Sequence, residues 1–227
     1  MNDITIYVAV NLWFTDTAQA LAIYGHISDW DTRLVTVTAH LFEHRRTFNL
    51  ILRWDMGNVT DASYMFRGAY QYNQPMAWDM RRVVNMEGMF SCAASMNQPL
   101  VWNTGSVVLM GHMFEYAWAF DQVLEWDTSN VLDIGYIFRG ATSFNSPLPW
   151  DTRLVENMAH ALSGAANFNQ ILDWNTDRAH PITQIYTPEY DEQNPETWAT
   201  HLYGPKNKLA EQYSHQSQTH RQFEFGM

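Results

Sequence analysis

The chain has 227 residues, a formal net charge of −11 at pH 7, 46% hydrophobic residues and ten tryptophans. The acidic balance disfavours nucleic-acid binding, because a phosphate-binding surface needs clustered Lys and Arg. With Cys92 as the one cysteine, an internal disulfide and a cysteine-rich metal site are excluded. No apolar run approaches the ~18 residues of a spanning helix, so no transmembrane segment is expected.

Residues 1–29 show helical spacing of apolar residues on both sides of Asp16. This pattern predicts a helical N-terminal cap of two helices, the second capped by Asp16 or Thr17 and ended by Gly25. The start is apolar but carries Asp3 where a signal peptide would have a basic region. We interpret it as folded structure rather than as a signal peptide, and the localisation stays open.

Tryptophan then recurs at a fixed interval of 24 residues, without insertion or deletion, over residues 30–174. A constant period of this length is typical of a repeat solenoid. Other apolar residues keep the same period, including a valine column, a phenylalanine column and two methionine columns that we expect in the core. The tryptophans are Trp30, Trp54, Trp78, Trp102, Trp126, Trp150 and Trp174.

Each repeat contains two different apolar patterns. V-x-x-M-x-x-M-F-x-x-A has spacings of three and four and predicts a short helix, whereas F-N-Q-P-L-x-W alternates and predicts a short strand. The predicted fold is therefore an α/β solenoid, leucine-rich-repeat-like, of about seven strand-plus-short-helix coils behind a helical N-terminal cap. After the last tryptophan the pattern fades, so residues 175–204 are predicted to be a C-terminal cap and residues 205–227 a polar tail.

Three polar columns also follow the period. The asparagine column of Asn49 is predicted to be an inward structural ladder, interrupted at Asp121, rather than a ligand site. The aspartate column of Asp31 is predicted to cap helix N-termini rather than to bind calcium. The histidines of the third column are too far apart for one metal ion, so they are predicted to be surface residues: His40, His112 and His160.

Glu43 with Arg67, and Glu115 with Arg139, are predicted to form ion pairs between adjacent repeats. No nucleophile–base constellation, phosphate-binding loop or metal-ligand spacing is present in the sequence. We therefore expect no catalytic residues, no metal, no cofactor and no enzymatic activity.

The best-conforming segments, W-D-T-S-N-V at Trp126 and F-N-S-P-L at Phe144, resemble the BspA-like leucine-rich-repeat family, first noted as a domain of unknown function in Mycoplasma surface lipoproteins. The resemblance covers about residues 21–176 in one register. It implies a leucine-rich-repeat-like solenoid used for surface attachment or protein interaction, with no catalytic residues.

The leading functional hypothesis is a non-enzymatic protein-interaction or structural scaffold. Strand residues of opposite parity to Leu and Trp are predicted to form an exposed, apolar sheet face, which marks a partner site. The partner would be another protein, in a large assembly such as a virion, an organelle complex or a cell surface. The alternative is a glycan-binding or enzymatic site in the caps, around Trp198, His201 and Tyr203. The predicted partner-binding residues of the face are Ile51, Arg53, Val101, Val123, Glu125 and Ile171.

Overall fold

The computed structural model describes residues 1–179. Helix α1 spans Asp3–Thr15, helix α2 spans Thr17–Tyr24, and a short 3₁₀ helix spans Ile27–Asp29. Asn2 caps α1 by accepting a hydrogen bond from the main-chain N–H of Thr5. Asp16 caps the start of α2, and Gly25, which has a positive φ, ends it. No helix in the described part of the chain is long and apolar enough to cross a membrane.

The helices pack on the first repeat and cover its apolar end. Ile6, Val10 and Trp13 of α1 are buried, and the Tyr7 hydroxyl donates a hydrogen bond to the carbonyl oxygen of Ala39 at 2.7 Å. The Asp3 carboxylate accepts hydrogen bonds from the main-chain N–H of a threonine in the first repeat and from its hydroxyl. Apolar burial and these polar contacts together join the helices to the stack that follows.

From Trp30 onward the chain forms repeats of 24 residues that stack in parallel, each beginning at a tryptophan of the period. Single parallel bridges link the same position of successive repeats. The described residues contain no strand longer than such a bridge and no helix after Ile27–Asp29. The prediction of an α/β solenoid with a strand and a short helix in every coil is therefore wrong. The bridges join Val37, Asp61, Asn85, Leu109, Asp133 and Asn157 in turn.

The predicted strand is absent because its main-chain pairing is missing. From Pro75 onward, no main-chain hydrogen bond in the described residues joins the segments that precede successive tryptophans, and Pro75, Pro99, Pro147 and Pro149 have no N–H to donate. Ring stacking joins the repeats here instead: the ring centroids of Trp102 and Trp126 are 6.1 Å apart, and those of Trp126 and Trp150 are 6.4 Å apart. An indole N–H takes over part of the missing ladder: Trp102 Nε1 donates to the carbonyl oxygen of Met76 at 3.1 Å. The segment is extended and alternates buried and exposed residues without forming a sheet.

The predicted helix is absent because two residues in each repeat adopt left-handed backbone conformations. In the first repeat these are His40, with a φ of 60°, and His44, with a φ of 58°. An α-helix requires negative φ throughout. Main-chain N–H groups instead donate alternately within their own repeat and to the next one. Glu43 donates to the carbonyl oxygen three residues back, whereas Phe42 donates to the carbonyl oxygen of Met65 in the next repeat at 2.9 Å. Successive turns joined to the neighbouring repeat therefore replace the helix.

The core consists of aromatic columns that run through the stack. The tryptophans are 3–6% exposed, and the methionines at the predicted core positions are fully or almost fully buried. Phe66 and Phe90 stack at 5.7 Å between repeats, and Phe66 stacks on Tyr72 at 3.9 Å within one repeat. These burials confirm the predicted tryptophan, phenylalanine and methionine columns. Offset stacking of this kind adds to the area that is buried.

Candidate interaction surface

The feature that distinguishes the surface is a row of exposed side chains beside the tryptophan column. It is formed by the residues three and one positions before each tryptophan, and we call it the exposed strip. Between buried Leu100 and Trp102, Val101 is 93% exposed, and Val123 and Ile171 are 56% and 58% exposed. The strip consists of Ile51, Arg53, Pro75, Ala77, Pro99, Val101, Val123, Glu125, Pro147, Pro149, Ile171 and Asp173.

The structure brings the six predicted partner-binding residues into this one strip. Ile51 is half-buried and the other five are exposed. Arg53 lies at the N-terminal end, where it pairs with Asp29 at 2.7 Å. The middle of the strip is apolar from Pro75 to Val123, and the acidic Glu125 follows Val123. It is a row of separate extended segments, however, and not the face of a sheet.

An asparagine ladder borders the strip on one side. Asn73 Oδ1 accepts a hydrogen bond from the main-chain N–H of Asn97 at 2.9 Å and from the Gln98 side chain. The ladder is structural, but its side chains are exposed or half-buried rather than inward. Asp121 does not interrupt it, since Asp121 Oδ1 accepts from the main-chain N–H of Asn145 at 2.9 Å. Only an acceptor oxygen is needed at this position, so Asp replaces Asn.

An aspartate column borders the strip on the other side. Asp55 accepts a hydrogen bond from the main-chain N–H of Gly57, two residues on, and Asp127 does the same with Ser129. These are Asx turns rather than the predicted helix N-caps. Other members of the column also bind an arginine, as when Arg81 holds the pKa of Asp79 at about 2.

The face that carries the bridges has a column of stacked rings. His112 stacks on Tyr136 at 4.7 Å, and Tyr136 on His160 at 4.9 Å. His40 is exposed, whereas His112 and His160 are half-buried, so the predicted surface position is only partly correct. The hydrogen bond that His112 donates to the Glu115 carboxylate raises the pKa of His112 above its ordinary value.

The two predicted ion pairs lie on the same face. Arg67 contacts Glu43 at 3.2 Å, and Arg139 contacts Glu115 at 3.3 Å, which confirms both. Each arginine also lies over a tyrosine ring, such as Arg139 over Tyr116 at 5.3 Å. Both pairs are partly open to solvent, so each contributes ~0–1 kcal/mol.

Among residues 1–179, no group of three or more His, Cys, Asp or Glu side chains is arranged to hold a metal ion. The sequence prediction of a cap site around Trp198, His201 and Tyr203 falls outside the described residues, as does most of the predicted C-terminal cap and the whole polar tail.

The sequence prediction included Glu125 in the strip but missed that Asp121 and Asp127 extend it into a run of exposed acids. Asp121, Glu125 and Asp127 are exposed on the same alternating segment as Val123. The signal was present in the sequence as D-Q-V-L-E-W-D, where every second residue before the tryptophan is an acid or a valine. The exposed Trp118 was also missed, because it lies outside the tryptophan period.

The family model described as Mycoplasma protein of unknown function, DUF285, matches residues 11–125, 101–198 and 121–219. The chain belongs to this family. The overlapping matches show that this DUF285 member is a tandem-repeat protein, in agreement with the stacked repeats. Neither the curated proteins nor the solved structures contain a significant match to it.

Proposed function

We propose that the protein is a non-enzymatic scaffold that binds another protein through the exposed strip. The observation that carries the proposal is the continuity of apolar side chains across adjacent repeats, with Val101, Val123 and Ile171 all more than half exposed. Contiguous exposed apolar patches mark interaction sites, because such area is costly to leave in water.

The stack supports this role by holding the strip rigid. Leu100 and Trp102 on either side of Val101 are buried, and the Trp102 indole donates a hydrogen bond to the carbonyl oxygen of Met76, 26 residues earlier. Side chains fixed in this way lose little conformational freedom when a partner binds, which favours affinity. Similarity of the repeats to the BspA-like family, whose implied role is attachment or protein interaction, supports the same conclusion.

The experiment is a quantitative pull-down that compares the full chain with Val101→Arg and Val123→Asp. Both side chains are exposed, so the melting temperature should change little while the partner is lost. Leu34→Arg is the matched control, because Leu34 is 73% exposed but lies outside the strip. A partner that Leu34→Arg retains and both strip variants lose supports the proposal.

Removal of residues 206–227 tests the competing hypothesis, in which the tail sequence binds the partner. If the shortened chain loses the partner while Val101→Arg and Val123→Asp keep it, binding depends on the tail sequence and the strip is not the interaction surface. Circular dichroism of each variant separates loss of binding from loss of fold.

A further inference from the structure

We infer that the exposed strip takes a cationic segment of its partner protein, in which Lys or Arg side chains accompany apolar ones. This inference rests on the proposed function and adds the chemistry of the partner. It comes from residues 121–127, where the apolar part of the strip meets carboxylates.

Residues 121–127 alternate between exposed side chains and side chains that are buried or, at Gln122, half-buried. Leu124 and Trp126 are buried, whereas Val123 is 56% exposed and the acids on either side of it are exposed. Three carboxylates and one aliphatic side chain therefore share one outward row. The exposed members are Asp121, Val123, Glu125 and Asp127.

None of these three acids has an ion pair within the described residues, whereas three aspartates in the column of Asp127 pair with arginine. In the described residues, Glu125 has no hydrogen bond or ion pair, and Asp127 bonds only to the N–H and hydroxyl of Ser129. Asp79 and Asp151, in the same column as Asp127, each bind an arginine two residues on. The bonds from Ser129 also lower the pKa of Asp127, so it is ionised at neutral pH.

The uncompensated charge lies directly beside the most exposed apolar side chain of the strip. Val101 and Glu125 occupy equivalent positions in adjacent repeats, each immediately before a tryptophan, and those tryptophan rings are 6.1 Å apart. Pro99 and Val123 are related in the same way. Apolar and carboxylate groups are thus neighbours across two repeats.

This arrangement selects a partner that offers both kinds of group. An apolar partner without cations would cover Glu125 and remove its water without replacing that hydration, which is unfavourable. A cationic partner without apolar groups would gain only a screened surface attraction. A second copy of this chain is disfavoured because it also carries a net charge of −11 and would bring like charges together.

The test uses three short fluorescent peptides of alternating Lys–Val, Glu–Val and Lys–Ser, titrated with the full chain and followed by anisotropy. We expect the Lys–Val peptide to bind at least about tenfold more tightly than the other two, and its affinity to fall as salt is raised. Failure of the Lys–Val peptide to bind, or equal binding of Lys–Val and Glu–Val, overturns the inference.

Glu125→Gln and Glu156→Gln form the matched pair of variants. Both remove one exposed carboxylate, but Glu156 lies away from the strip and pairs with Arg178 at 2.6 Å. Binding of Lys–Val should weaken in Glu125→Gln and in Val101→Ser and stay unchanged in Glu156→Gln. Equal losses in the two glutamate variants would show attraction to the whole acidic protein and contradict a local site.

The outcomes separate the two proposals. If Val101→Ser weakens Lys–Val and Glu–Val alike, the strip binds apolar partners and only the cationic inference fails. If no strip variant changes the binding of any peptide or of the pulled-down partner, the proposed function fails as well. A concentration-dependent dimer that Val101→Arg abolishes would identify a second copy as the occupant and overturn the inference.

Discussion

The indole Nε1 of Trp102 donates a hydrogen bond to the main-chain carbonyl oxygen of Met76, which is 3.1 Å away and 26 residues earlier in the chain. Trp126 makes the same bond to Leu100 at 3.0 Å. Each tryptophan therefore fills the core and also satisfies a backbone acceptor that a strand ladder would otherwise use. One side chain sets both the spacing of the repeats and their register.

Trp102→Ala should lower the free energy of unfolding by ~3–5 kcal/mol, because it removes a large buried ring and leaves the Met76 carbonyl without its donor. Trp118→Ala is the control, since Trp118 is 56% exposed and outside the period. Urea denaturation should show a much smaller loss for Trp118→Ala. Equal losses would mean that the tryptophan column is not the core.

Tyr72→Phe should raise the stability. The Tyr72 hydroxyl is buried and has no hydrogen-bond partner among the described residues, and burial raises the pKa of the phenol. Removal of this group eliminates a desolvation penalty of ~1–3 kcal/mol while the ring stacking is kept. Tyr64→Phe should instead destabilise, because the Tyr64 hydroxyl donates to Glu87. Thermal melts that shift in the same direction for both variants would contradict this.

Gly88→Ala should destabilise the protein through backbone strain and a steric collision. Gly88 has a φ of 57°, so the substitution brings a backbone strain of ~1–2 kcal/mol. A Cβ on Gly88 would also collide with the Tyr64 ring of the preceding repeat. Chemical denaturation of Gly88→Ala in the natural chain and in a Tyr64→Ala chain measures the steric part as the difference between the two losses. No difference would mean that Tyr64 moves aside freely.

Stability should fall as the pH rises through the pKa of His112. The hydrogen bond that His112 donates to the Glu115 carboxylate raises this pKa in the folded protein, and the charges of Glu87 and Asp133 act in the same direction. A raised folded pKa stabilises the protein fully below the ordinary value of about 6.5, and the contribution disappears as the pH increases through the raised value. Urea unfolding at a series of pH values should show this decline. Glu115→Gln should flatten it, and an unchanged slope would contradict the assignment.

The sequence alone was enough to predict the buried columns and the exposed positions beside them. Both depend only on how many residues separate a position from the repeating tryptophan and on the alternation of buried and exposed residues beside it. Leu100, Val101 and Trp102 show this alternation. The two ion pairs between repeats followed from the same period, because residues 24 apart are neighbours in the stack.

The conformation of the backbone could not be predicted in this way. Alternation around Leu100 and Trp102 is equally compatible with a paired strand and with an unpaired extended segment, and only the missing main-chain hydrogen bonds between these segments decide between them. The apolar spacing of the other half of the repeat imitates a helix. The left-handed position of His44 was visible only indirectly, through Gly68 and Gly140 at the equivalent positions of other repeats.

The acids of the candidate surface were visible in the sequence, but their lack of a counter-ion was not. Asp127 and Asp151 belong to one column, and only the second is followed two residues later by an arginine. Whether that arginine neutralises the aspartate depends on the Asx turn, which brings Arg153 to within 2.6 Å of the Asp151 carboxylate. The predicted helix N-cap would have separated the two side chains.

Stacking of independent 24-residue repeats is tested most directly by deletion of one whole repeat, residues 102–125, beside deletion of its first half, residues 102–113. The whole-repeat deletion joins Val101 to Trp126 in phase, so the shorter chain should fold and melt cooperatively. The half deletion places every later column out of register and should abolish the cooperative melt. Comparable circular dichroism spectra and melting curves for the two deletions would contradict the stacked repeat.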